Sequence, residues 1–202
     1  MIKILLTFMK KYQIIYNTIL NKAKVCYHFN SRGRNMAKKM CKSNEGIMDA
    51  RSLACYIKKC YEKRFNGDEI SPIKLQKSLY FCFAYWGGFV RRGKSEKTEF
   101  STNKYSEILF SNKIEAWVYG PVVPDVYHEK NLEKYEDNGI FTDGIMQNYI
   151  NGILDDVLAA NDFKLVEVSH QDKCWKKHFN KKSIFHNDTI PADEIISEYA
   201  KI

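Results

Sequence analysis

Residues 114–129, IEAWVYGPVVPDVYHE, constrain the fold more than any other stretch of the chain, because their backbone chemistry is punctuated twice. Ile114 to Tyr119 form a short apolar run of strand-prone residues. Gly120 can take a positive φ and Pro121 has no amide to give to a ladder, so the run breaks there. Pro124 suits the first turn of a helix, where its missing N–H would go unpaired in any case. The stretch predicts a strand, a Gly-Pro turn and a helix folded into one corner.

The segments before the corner read as helices. Over residues 49–65, Leu53, Ala54, Tyr56, Ile57, Cys60 and Tyr61 recur at helical spacing, with Lys58, Lys59, Glu62 and Lys63 off the stripe. Asn66-Gly67 then predicts a left-handed cap. Ser71-Pro72 reads as an N-cap with Pro at the first helical position, opening a helix to about residue 90. Leu75, Leu79, Cys82, Phe83, Trp86 and Val90 share one face of it, and Tyr80, Phe81, Tyr85 and Phe89 fill much of the remainder. A helix apolar on nearly every side belongs at the centre of a core. The competing use of Tyr80, Phe81 and Tyr85 is a partner-binding patch. Lys74, Gln76 and Lys77 fall off the stripe and read as solvated as readily as engaged.

Residues 95–112 predict a loop or irregular hairpin, with strand-prone pieces at 100–102 and 108–110. Further helices are predicted over about 122–135, 143–160, 163–170 and 192–201. The fold class is therefore mainly α (α+β): a compact helical domain with a small β-strand or hairpin element.

Charge divides the chain at Met48. Residues 1–47 hold ten Lys and Arg against the single Glu45, whereas residues 48–202 hold the other 22 against 23 acidic residues. The net charge of +8 thus resides upstream, and nucleic acid is not an expected partner of 48–202. Three readings of 1–47 stand: a basic arm touching nucleic acid or acidic lipid, a structured extension, or an over-extended gene model with translation starting at Met48. Composition favours the last, and 30–47 reads as a disordered linker. No run of 18 uncharged apolar residues predicts a membrane span. Six cysteines without Cys-x-x-Cys pairing read as reduced thiols in a cytoplasm.

Sharper chemistry finds little support. His170, Cys174 and His178 are spaced four apart and would share a face of one helix, and both residue types bind zinc. No fourth ligand stands near, and a His beside a Ser suits a cap or a core hydrogen bond, so no metal or other cofactor is expected. Asp125 and His128 make an acid–base pair with no nucleophile or phosphate loop beside it, so an enzyme is not expected. Trp117, Tyr119 and Tyr127 have no basic residue between 114 and 129 to support base stacking. Trp117 is expected to bury its ring while its indole N–H finds a partner.

Three marks, in order, carry a resemblance: Lys74, Leu75, Gln76, Lys77, Leu79 and Tyr80 within KLQKSLYF; then Glu115, Ala116, Trp117, Tyr119, Gly120, Pro121 and Val122, with Pro124 and Tyr127 beyond; then His170 and Trp175. The chain resembles the Panacea domain, the SocA-like antitoxin family of phage-associated proteins, over roughly 48–202, read as a single domain. Ser78 and Cys174 depart from it, standing where a Leu and a Pro are usual. The resemblance implies a non-enzymatic antitoxin that neutralises a cognate toxin by direct protein–protein contact. The alternatives are an adaptor that hands the toxin to a AAA+ protease, and a DNA-binding phage or prophage regulator. The corner is expected to build the fold, with the working surface beside it on exposed faces near Trp117, Tyr119, Tyr127 and Trp175.

Overall fold

A helix without a polar face has to be enclosed, and the chain is arranged around one. The computed structural model describes residues 46–96, 105–136, 139–180 and 188–202. Their elements, in order, are α1 (Ala50–Arg64), α2 (Pro72–Ser95), β1 (Glu115–Trp117), β2 (Gly120–Val122), α3 (Pro124–Tyr127), α4 (Gly144–Ala159), α5 (Asp162–Ser169), α6 (Lys173–His178) and α7 (Ala192–Tyr199). The outcome is mainly α with a two-stranded antiparallel sheet. The readings of residues 1–45 and of a strand at 100–102 lie outside the described residues.

Local chemistry sets most boundaries where the sequence places them. Asp49 caps α1 by accepting the Arg51 N–H at 2.7 Å, and Asn66 and Gly67 close it with φ of +54° and +92°. Ser71 Oγ accepts the Lys74 N–H at 3.0 Å, with Pro72 at the first helical position of α2. Asp143 caps α4 through the amides of Ile145 and Met146.

Three expectations need correction. The turn of the corner is Val118-Tyr119, not Gly-Pro, and Gly120-Pro121 begin β2, in register Glu115↔Val122, Ala116↔Pro121 and Trp117↔Gly120. Pro121 is tolerated because the Ala116 N–H points away from β2, to the Asp188 carbonyl at 3.0 Å. Ala116↔Pro121 is thus a non-bonded pair, and the missing amide removes no ladder bond. The helix predicted over 122–135 is the single turn α3, followed by a 3₁₀ turn at Leu132–Lys134. The Glu129 carboxylate accepts the Asn131 N–H at 3.0 Å and the Tyr135 hydroxyl at 2.8 Å, a local alternative to helical bonding. Finally, α2 continues to Ser95, where Arg91 and Lys94 converge on Glu107 at 2.8 and 3.0 Å.

α2 is the centre of the core, packing against α4, α7, α1, α5 and β2. Tyr80, Phe81, Phe83, Trp86 and Phe89 are all buried on it, which sets aside a surface patch at Tyr80 and Phe81. Phe89 stacks on Tyr149 of α4 at 4.3 Å between ring centres. Gly87-Gly88 let α7 approach: a Cβ on Gly88 would stand 2.6 Å from the Tyr199 carbonyl carbon.

Gly88→Ala should therefore destabilise the protein by up to about 2 kcal/mol net, an overpacking cost of about 1–3 kcal/mol less a gain of about 1 kcal/mol in helix propensity. Urea unfolding monitored by circular dichroism reads this directly, and a variant as stable as the parent would contradict the close packing of α7.

Candidate partner-binding site

Of the two readings left open for the three polar residues at the start of α2, solvated or engaged, the structure shows engagement. Lys74, Gln76 and Lys77 are buried, Lys77 to 1% exposure. Lys74 Nζ donates to the carbonyls of Leu158 (3.2 Å) and Ala160 (2.5 Å) and faces Asp162 at 3.2 Å, placing a cation at the C-terminal end of α4. Gln76 Oε1 accepts the Val123 N–H at 2.8 Å. Lys77 Nζ donates to the Pro121 carbonyl at 2.8 Å. One helical turn thus ties the core to the end of α4 and to both sides of the β2–α3 junction.

Gly120 completes the clamp. Its φ is +93°, and a Cβ there would meet Ser169 Oγ at 2.5 Å and Lys77 Nζ at 2.9 Å, so space and backbone both require glycine. Ser169 Oγ donates to the Val166 carbonyl at 2.9 Å. Burial pushes the Lys77 ammonium down to about 7, with Asp172 opposing. Burial pushes Asp172 up to about 6, against the hydroxyl donors Tyr80 (2.5 Å) and Tyr199 (2.9 Å).

Burial divides the corner into two faces. Ala116, Gly120, Pro121, Val122, Val123 and Val126 point inward. Val118 (59% exposed), Tyr119 (56%) and Tyr127 (51%) point outward. Trp117 lies half-buried between the faces, edge-on to Tyr127 at 4.9 Å, with its indole N–H on Glu115 Oε2 at 2.9 Å. The indole N–H therefore has its partner, while the ring is less buried than expected. Leu75, Leu79 and Tyr80 lie in the core, and Pro124 opens α3 as expected.

The last mark abuts the hairpin. Trp175 donates its indole N–H to the Trp117 carbonyl at 3.1 Å and is sandwiched between His170 (3.9 Å) and Phe179 (4.6 Å) in a near-parallel stack. His170 ends α5, whereas Cys174 and His178 belong to α6, so the three do not share one helix. Cys174 is buried 3.7 Å from the Tyr80 hydroxyl, and His178 faces Glu194 at 3.0 Å. Among the described residues no group of His, Cys, Asp and Glu is placed to hold a metal ion. Asp125 accepts from Asn112 Nδ2 at 2.6 Å, and His128, three residues on, is the C-cap of α3. Asp172, Tyr199 and Glu198 carried no sequence signal, because their roles depend on partners in distant segments.

Both departures from the family pattern have structural accounts. Ser78 donates to the Lys74 carbonyl at 2.8 Å, which satisfies a hydroxyl in the core. The Cys174 amide, which a Pro would lack, joins that of Lys173 on the Glu198 carboxylate at 2.9 and 2.8 Å, tying α6 to α7.

The site is thus a partly apolar hairpin held by buried hydrogen bonds on a helical scaffold. Residues 98–176 match the family model for the antitoxin SocA-like, Panacea domain, bearing out the resemblance read from the motifs. The match takes in the corner, His170 and Trp175, while KLQKSLYF lies upstream of it. Neither the curated proteins nor the solved structures yielded a match. Among the described residues no helix is long and apolar enough to cross a membrane.

Lys77 makes stability depend on pH with a definite sign. Its folded pKa of about 7 lies below the ordinary 10.5, so the unfolded chain binds a proton that the fold refuses, and stability rises with pH across that window. Asp172 acts lower and oppositely: stability falls as pH rises from 3.8 to about 6. Urea midpoints taken near pH 7.5 and about 9.5 should rise more steeply with pH in the parent than in Lys77→Met, the raised thiols of Cys82 and Cys174 acting in the opposite direction in both; equal slopes would contradict the depressed Lys77 pKa.

Proposed function

We propose that the chain is an antitoxin that neutralises a cognate toxin by direct contact, using the outward face of the hairpin. The observation that carries this reading is the combination of an antitoxin-like family match with Val118, Tyr119 and Tyr127 held exposed on a clamped backbone. Neutralisation by contact requires no catalytic group. It requires an interface on the order of 1,600 Å² anchored by a few aromatic side chains. Tyr119 and Tyr127 present such anchors, and because the backbone beneath them is fixed, little is lost to ordering on association. The thiols of Cys82 and Cys174 suit action in a reducing cytoplasm.

The partner is sought in the neighbouring open reading frame. Its product should arrest growth when expressed alone, and co-expression of this chain should restore growth, with the two proteins co-purifying. Tyr119→Asp and Tyr127→Ala should each abolish rescue while leaving the melting temperature within about 2 °C of the parent, since both side chains are half in solvent. Rescue by the unmodified chain without co-purification would refute neutralisation by contact, and full rescue by both variants would remove the hairpin face from it.

A further inference from the structure

Beside the hairpin lies an open groove of about 940 Å³ whose lining includes Val118, His170, Trp175, Lys176, Phe179 and Asp188. Its floor is the three-ring stack, which offers ring edges and apolar surface. Its lining carries Lys176, Lys177 and His178 together with Asp188. Lys177 and His178 share Glu194 at 2.6 and 3.0 Å. Lys176 is different: its Nζ donates only to a neutral group, the Gln171 carbonyl at 2.8 Å, and among the described residues no carboxylate pairs with it. The groove therefore joins a stacking surface to an exposed lysine that, among the described residues, has no carboxylate at ion-pair distance and feels Asp172 only at longer range, alongside exposed Val118.

We propose that this groove takes an acidic segment of a partner protein bearing an aromatic residue, the carboxylates meeting Lys176 and the ring packing on the His170–Trp175–Phe179 stack. The inference rests on the partner-binding reading of the hairpin and extends it, because one extended segment crossing Val118 would engage both surfaces. Charge decides the class of occupant. Lys176, which no described carboxylate pairs at close range, attracts a carboxylate and repels a basic segment. The aromatic floor favours a ring over an aliphatic side chain. Single-stranded nucleic acid would want several cations tracking a backbone, whereas in the described lining Lys177 and His178 are both engaged by Glu194.

The test uses the full chain and three probes: a fluorescein-labelled peptide with the repeat Asp-Glu-Phe-Asp-Glu, the same peptide with Asn and Gln for its acids, and a labelled oligothymidylate. Anisotropy should show the acidic peptide binding at least about tenfold more tightly than its amide counterpart, with affinity falling as salt rises. Lys176→Glu, at an exposed position, should reverse that preference without moving the melting temperature. Phe179→Ala should weaken binding of the acidic peptide and its amide counterpart alike. Equal binding of the two peptides, an undiminished affinity in Lys176→Glu, or preference for the oligothymidylate would overturn the proposal. Because these readouts do not use the toxin, failure here leaves growth rescue to judge the antitoxin reading separately.

Discussion

The bond from Lys77 Nζ to the Pro121 carbonyl, with its neighbour from the Val123 amide to Gln76, is the constraint on which the rest of the architecture turns. A two-stranded hairpin is marginal in water by itself. Here β2 is laid against the most buried helix, and its outward-pointing backbone groups are satisfied by side chains rising from that helix. An apolar residue at position 77 would fill the volume and leave a buried carbonyl unmet, at a cost of about 1–3 kcal/mol. Direction is what the polar pair adds: hydrogen bonds fix the strand's height and rotation on α2, where apolar packing tolerates sliding.

From that anchor the remaining geometry follows in sequence. With β2 fixed, Gly120 must pass against Lys77 and Ser169, which sets the start of the strand and places the turn one step earlier, at Val118-Tyr119. The turn then projects away from the core because both strand ends are committed. β1 in turn offers the Ala116 amide to Asp188, and Trp117 offers its carbonyl to Trp175, so α6 and residues 188–190 are drawn to the same hairpin. The family marks, distant in sequence, converge on one junction.

Helices α1, α2, α4, α5 and α7 were legible in the sequence because capping and periodicity are local. Asp49, Ser71 and Asp143 each lie next to the amides they satisfy. The hairpin was half legible. Gly120 and Pro121 announce a break, yet whether they form a turn or begin a strand depends on where the Ala116 amide points, and that is set by Asp188, more than seventy residues away. The polar trio was the least legible. Lys74, Gln76 and Lys77 look solvated because their partners are carbonyls and an amide, and backbone groups leave no mark in a sequence. The same holds for Asp172, whose partners Tyr80 and Tyr199 come from helices far apart in the chain.

This difference separates what a signature identifies from what it does. Lys77 meets the Pro121 carbonyl, Gln76 meets the Val123 amide and Gly120 passes against the Lys77 side chain, so a change at one of them is felt by its neighbours. Val118, Tyr119 and Tyr127 touch mainly solvent and each other's neighbours, and Lys176 touches a neutral carbonyl. Their identities are free of the scaffold's demands. On the proposed reading, a lineage meeting a new toxin would alter those exposed side chains and the groove rim while the buried clamp stays. Letters that name the domain and letters that choose its partner then occupy the same sixteen-residue stretch on opposite faces of one hairpin, divided by whether a side chain faces Lys77 or water.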